Sequence, residues 1–282
     1  MTYKKLTHGE AVSFLPKRSR YAHKGDMGRL LLLCGSRGYT GAAALAAMGA
    51  LRAGAGLVYL GVSESIYEIE ATKLTEPIVV PLDDRNGMLS VQAIDPIDKL
   101  LSNMDVVLIG PGIGISEDTQ QVVKHVLEVF PGPVVLDADG ITMMKAHKNV
   151  LRDRIGPTIL TPHEGEFSRF TDMPIRDRRD DAEKLAKSLG CIVVLKGHET
   201  VITDGKDGYI NKTGNPGMAV GGSGDVLAGV ITALIGQGIP PMEAAAAGAW
   251  LHGAAGDLSA QRIGQYGMLP SDLLEDLPRL MK

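Results

Sequence analysis

The 282-residue sequence is short of cysteine and aromatic residues and carries no marked excess of either charge. Its two cysteines, Cys34 and Cys191, stand far apart inside the apolar runs LLLLC and CIVVL. That spacing suits neither a disulfide framework nor a zinc site, so a reducing, cytoplasmic setting is expected. With 29 Lys and Arg against 33 Asp and Glu, the formal net charge is −4. Nucleic acid and anionic membranes both need a cationic face, so neither is expected as a partner. The most apolar stretches, 41–51 and 226–239, are Ala/Gly-rich, short or Gly-broken, and bounded by Arg52 and Asp225. They cannot span a bilayer. The polar, basic start (MTYKKLTHGEAVSFLPKRSRYAHKG) has no apolar core, which argues against a secretory signal. No Ser/Pro-rich linker, charge block or internal repeat divides the chain, so a single domain over 1–282 is expected.

Glycine, in contrast, is plentiful: 35 residues, about an eighth of the chain, against a usual ~7%. Apolar runs such as RLLLLC, GLVYLGV, DVVLIG, GPVVLDA and CIVVLK alternate with Ala-rich or amphipathic stretches. The runs are continuous rather than alternating, which marks strands covered on both faces. The expected fold is a three-layer α/β/α sandwich around a mostly parallel sheet. The segment ETVITDGKDGYINK predicts a hairpin, and two Ala-rich helices are expected from about Gly224 and Pro241.

In such a sheet, ligands bind beyond the carboxyl ends of strands, so the loops after each strand hold the candidates. The 35–41 loop (GSRGYTG) suits an anion or a plain βα turn, but lacks the Gly-Lys-Ser/Thr of a P-loop and the spacing of a Rossmann fingerprint. The 110–114 loop (GPGIG) allows close backbone approach. In DADG, Asp137 and Asp139 suit hydrated Mg2+ or a ribose, with Asp139 expected to cap the next helix. In TPHEGE, no HExxH zinc motif forms because residue 167 is Phe. Glu164 and Glu166 complement a helix dipole, while His163 is expected to face the ligand. Lys196, followed by Gly197, His198, Glu199 and Thr200, is placed to meet phosphate oxygens.

The strongest signal is NPGMAVGGSGD at 215–225, running into the apolar VLAGVITALIG. Gly222, Ser223 and Gly224 place N–H groups at a helix start and form an anion hole. Asp225, in the first turn, is a candidate general base for a substrate hydroxyl.

Here the sequence resembles the ribokinase-like superfamily and, within it, the ADP/ATP-dependent NAD(P)H-hydrate dehydratases. The matching segments are LPKRSRYAHKGDMGRLLLLCGSRGYTGAAALAA, GPGIG, VVLDADG, LTPHEGEF, VVLKGHETVI and GNPGMAVGGSGDVLAGVI, in order along nearly the whole chain. The resemblance implies a repair lyase that dehydrates the S epimer of NADHX or NADPHX, the hydrated forms of NADH and NADPH. ADP, or ATP in eukaryotic members, drives the step, giving AMP and phosphate from ADP. It implies that Lys196, Gly197, His198, Glu199, Thr200 and Gly224 line the nucleotide site. Ala43, Gly112, Gly114, His163 and Asp225 would contact the hydrate. Mg2+ would bind through phosphate oxygens and waters, with no dedicated metal ligands, and a homo-oligomer, a tetramer by family resemblance, is implied. The chain starts close to its dehydratase motifs, so an epimerase activity is not expected. Two other readings compete: an ATP-dependent kinase of a small alcohol, such as a hydroxymethylpyrimidine or hydroxyethylthiazole, and a non-catalytic nucleotide-binding protein.

Overall fold

A computed structural model describes residues 3–282. The strands are β1 (Tyr3–Lys5), β2 (Arg29–Leu33), β3 (Leu57–Ser63), β4 (Ile78–Leu82), β5 (Asp84–Arg85), β6 (Met88–Leu89), β7 (Val106–Ile109), β8 (Val134–Leu136), β9 (Thr158–Leu160), β10 (Ile192–Leu195), β11 (Thr200–Thr203) and β12 (Gly208–Asn211). The helices are α1 (His8–Ser13), α2 (Thr40–Arg52), α3 (Tyr67–Lys73), α4 (Ile94–Leu101), α5 (Glu117–Val129), α6 (Ala138–Met143), α7 (Lys148–Asp153), α8 (Glu164–Thr171), α9 (Arg178–Leu189), α10 (Ser223–Gly236), α11 (Pro241–Ile263) and α12 (Pro270–Leu280).

Ten strands make one sheet in the order β1-β12-β11-β10-β9-β8-β7-β2-β3-β4. Within that sheet, among the described residues, only the β10–β11 and β11–β12 pairs are antiparallel; β5 and β6 form a separate antiparallel pair. The expected hairpin is β11–β12, and the two expected Ala-rich helices are α10 and α11. The continuous apolar strands divide residue by residue between two cores, as their period of two requires. Leu30, Leu32, Val106, Leu108, Ile192 and Val194 pack under α2, α10, α11 and α12. Leu31, Leu33, Val107, Ile109, Val193 and Leu195 pack against α4 to α9. Burying each such side chain contributes roughly 1.5–3 kcal/mol.

The Ala/Gly composition of α2 and α10 has a packing cause. A Cβ added at Gly229 would fall 2.1 Å from the Ala46 carbonyl oxygen, so the two helix backbones touch there. Strand order reverses between β2 and β7, and the loops that follow them meet at this switch point. Gly35 N–H donates to Pro111 O at 2.8 Å and Ser36 Oγ to Gly112 O at 2.8 Å. In open α/β sheets such a reversal opens a ligand crevice.

Candidate active site

A cavity of about 920 Å3 opens at the carboxyl edge of the sheet, between the ends of β8, β9, β10 and β12 and the start of α10. Gly222, the residue before α10, has φ of +98°. That left-handed conformation favours glycine, and an added Cβ would lie 2.4 Å from Leu45 Cδ1. The Ser223 N–H is turned into the Val220 carbonyl (3.3 Å), and helical bonding starts with Val226 N–H donating to Gly222 O (3.2 Å). Among the described residues the N–H groups of Gly222, Gly224 and Asp225 have no acceptors at the positive end of the helix, where an anion is stabilised.

The Ser223 hydroxyl instead sits 3.3 Å from Nε2 of His252 on α11. Burial pushes the His252 ring down to about 4, so it is neutral near pH 7. Asp225 shows the opposite shift. Burial first, and then the charge of Asp137, push its carboxyl up to about 6; Lys196 opposes the rise, while Glu166 and Asp139 add to it. A carboxyl in that range is suited to general-base work near neutrality.

Lys196 anchors the centre. Its Nζ lies 2.8 Å from Asp137 Oδ1 and 3.8 Å from Glu166 Oε2. Thr161 Oγ1 donates to the same Asp137 oxygen at 2.6 Å. A Cβ on Gly224 would stand 3.2 Å from Lys196 Nζ, which puts the ammonium beside the free N–H groups. Burial works against its charge, but Asp137, Glu166 and Asp225 together outweigh burial and raise its pKa.

His163 caps α8. Its Nδ1 accepts from the N–H of Gly165 (3.0 Å) and Glu166 (3.3 Å), while Glu166 Oε2 accepts from the His163 N–H (2.8 Å). With Nδ1 accepting both bonds, Nε2 is the ring nitrogen that carries a proton, and it lies 3.5 Å from Glu166 Oε1. Around the rim, Glu199 takes φ of +54° and pairs with Lys212 at 2.6 Å. Arg178 lies under Gly197, donating to Leu195 O at 3.0 Å and pairing with Glu164. Asn215 Nδ2 and Gly214 N–H donate to Asp257 on α11 at 3.1 and 2.9 Å, which ties the glycine loop to that helix.

The cavity therefore gathers Lys196, Gly197, His198, Glu199, Thr200, His163, Gly222, Ser223, Gly224 and Asp225. It does not gather Ala43, which is fully buried, or Gly112 and Gly114, which lie in the loop after β7 at the switch point. Asp139 does not cap α6. The N-cap position falls to Asp137, which makes no capping bond, and Asp139 Oδ2 accepts instead from Gly114 N–H at 3.0 Å. Tertiary pairing across 25 residues outcompetes the local bond. Glu166 does close its helix start, but it also faces Lys196. His252 and Asp257 went unread in the sequence; their only signal is a polar side chain within an Ala-rich helix.

The sequence profile of the family described as NAD(P)H-hydrate dehydratase matches residues 30–279. The chain is 45% identical to the bifunctional NAD(P)H-hydrate repair enzyme of Moorella thermoacetica over 98% of its own length and 53% of that protein. It thus spans about half the length of the bifunctional relatives it matches. Against the ADP-dependent (S)-NAD(P)H-hydrate dehydratase of Bacillus subtilis it is 37% identical, covering 95% of this chain and 94% of that protein. The crystal structure of the ADP/ATP-dependent dehydratase from Bacillus subtilis, co-crystallised with ATP/Mg2+, superposes with a TM-score of 0.84 at 32% identity, covering 99% of this chain and 98% of that one.

Proposed function

The chain belongs to the NAD(P)H-hydrate dehydratase family, and on that premise we propose that it uses ADP to dehydrate the S forms of NADHX and NADPHX, releasing AMP and phosphate. The observation that carries this reading is the placement of Asp225 beside unpaired helix N–H groups and the Lys196 ammonium in one cavity.

Hydroxide is a poor leaving group, so the C6 hydroxyl of the hydrate must first be phosphorylated. Asp225 takes the hydroxyl proton as the oxygen attacks the terminal phosphorus of ADP, and AMP departs. The N–H groups of Gly222, Gly224 and Asp225, with Lys196, stabilise the charge on the moving phosphoryl group. Preorganised donors of this kind are worth ~10^2–10^3 in rate each. The C6–O bond then breaks, its electron pair leaves with phosphate, and the ring nitrogen's lone pair replaces it.

Lys196, Gly197, His198, Glu199 and Thr200 hold the nucleotide, with the Glu199–Lys212 pair closing the rim. His163, through its Nε2 proton, donates to substrate oxygen. The hydrate runs from Asp225 toward Gly112 and Gly114 in the switch-point loop, with Ala43 packed beneath. No cluster of three or more metal-ligating side chains occurs among the described residues. The donor set fits a Mg2+ brought by the nucleotide and met by Asp137 and Glu166 through water, which would neutralise phosphate charge. We take 1–282 as one working domain, active as a cytoplasmic homo-oligomer.

The test is recovery of absorbance at 340 nm from S-NADHX, with ADP and ATP in parallel. Recovery with equimolar AMP in the ADP arm is expected. A stable phosphate ester with no recovery would overturn the lyase in favour of a small-alcohol kinase.

A further inference from the structure

Ser223 can reach a phosphoryl group only through its side chain, because its N–H is taken by the Val220 carbonyl. Ser223 and His252 are each 8% exposed, and both line the 920 Å3 cavity. Ser223 Oγ lies 3.3 Å from His252 Nε2. The same face of α11 holds the loop that leads to Ser223. One turn on from His252, Asn215 Nδ2 donates to Gly256 O at 2.9 Å, and Gly214 N–H donates to Asp257 at 2.9 Å. The imidazole is thus carried on the helix that fixes the glycine turn.

The contact between hydroxyl and ring can run in two directions, with opposite consequences for an anion. If the hydroxyl donates to the ring, its proton is turned away and oxygen lone pairs face the phosphate. If the ring donates, the hydroxyl proton is free for the cavity. Burial, the largest influence, holds the ring neutral, and Lys196 also disfavours its charge. Against both, a hydrogen bond to the Ser223 backbone favours a proton on the ring. A carbonyl acceptor has that effect and an N–H donor would have the reverse, so the single N–H of the neutral ring faces Ser223.

We propose that His252 is a positioning residue for phosphoryl transfer. Its Nε2–H donates to Ser223 Oγ and so aims the Ser223 hydroxyl proton into the cavity, as a donor to the moving phosphoryl group beside the N–H groups of Gly222 and Gly224. The proposal rests on the dehydration reading above. It needs no further reactant, since no covalent bond to either residue forms or breaks.

The test is a double-mutant cycle of Ser223→Ala and His252→Leu, read as AMP release from ADP with S-NADHX and accompanied by unfolding curves. Ser223→Ala is expected to lower kcat ~10^2-fold, the scale of one lost donor, with KM for ADP little changed. His252→Leu should lower kcat nearly as far in the wild-type background, but by no more than about twofold once the hydroxyl is gone. His252→Gln, whose amide can donate from nearly the same place, should restore most of the lost rate. Nitrogen-15 NMR of the wild-type ring should find the proton on Nε2, with and without ADP. A purely structural histidine would lower kcat by the same factor with or without the Ser223 hydroxyl. That result, or a ring proton on Nδ1, overturns the proposal. If His252→Leu does not fold, the Gln variant and the ring tautomer decide, and a Gln variant as slow as Ser223→Ala overturns it as well. If wild type releases no AMP, the dehydration reading itself fails.

Discussion

Lys196 Nζ and Asp137 Oδ1 meet at 2.8 Å across 59 residues of chain, joining the ends of β10 and β8 beneath the start of α10. Asp137 is 1% exposed and the Lys196 side chain 18%. In so dry a setting the pair contributes less to stability than its removal would suggest, because a lone survivor keeps its desolvation cost.

Lys196→Met is therefore expected to destabilise the fold by roughly 3–5 kcal/mol, by stranding the Asp137 carboxylate. Adding Asp137→Leu should recover most of that loss without recovering turnover. Denaturant unfolding of the two variants, set beside ADP titrations, checks both halves. Equal stability of single and double variants would sink the account.

Much of this centre is legible in the sequence because it follows from local rules. The glycines before Asp225 and the apolar runs before each loop place an anion hole on a parallel sheet. What escapes is what depends on distant partners. Nothing near Asp139 announces Gly114, and nothing near Lys196 announces Asp137. Short or edge elements escape as well. β1 is three residues, two of them lysines, held only by pairing with β12. β4 carries Pro81, tolerated because that strand forms the sheet edge. Asn86 and Gly87, at φ of +58° and +80°, make the tight β5–β6 turn, a signal present in the sequence yet carried by strands of two residues.

Asp225 and His252 titrate with opposite consequences. The folded protein holds the Asp225 proton more tightly than the unfolded chain does, with a pKa of about 6 against 3.8. Its carboxylate thus costs stability above about pH 6, and the cost disappears below pH 3.8. Asp225→Asn should raise stability at pH 7.5 by roughly 2–3 kcal/mol while cutting turnover ~10^2–10^4-fold. For wild type, kcat/KM should fall tenfold per unit below about pH 6, where the base is protonated. His252, at about 4 against 6.5, binds its proton more weakly when folded. Its contribution is full above pH 6.5 and is lost as pH falls through that window toward 4. His252→Gln should flatten the acid side of a melting-temperature profile. An unchanged slope would contradict a buried, neutral ring.

Gly222 and Gly221 are adjacent, yet they should respond differently to the same methyl group. At Gly222, alanine must hold φ near +98° and place its Cβ 2.4 Å from Leu45 Cδ1 and 3.3 Å from Pro270 Cγ. The left-handed backbone alone costs ~1–2 kcal/mol for an L-residue, and Pro270 cannot swing aside as Leu45 can. Relief requires opening the turn, which moves the N–H groups of Gly222 and Gly224 off the position proposed for the phosphoryl group. Gly222→Ala should thus lose roughly 1–3 kcal/mol and ~10^2–10^3 in kcat together. At Gly221 an added Cβ meets nothing within 4 Å and no left-handed φ is required. Gly221→Ala should stay within ~0.5 kcal/mol of wild type, and its methyl, on the cavity wall, should raise KM for the nucleotide more than it lowers kcat. Unfolding curves and initial rates on both variants decide the matter. If Gly222→Ala kept wild-type kcat, the free N–H groups at the start of α10 would not be what stabilises the transferring phosphoryl group.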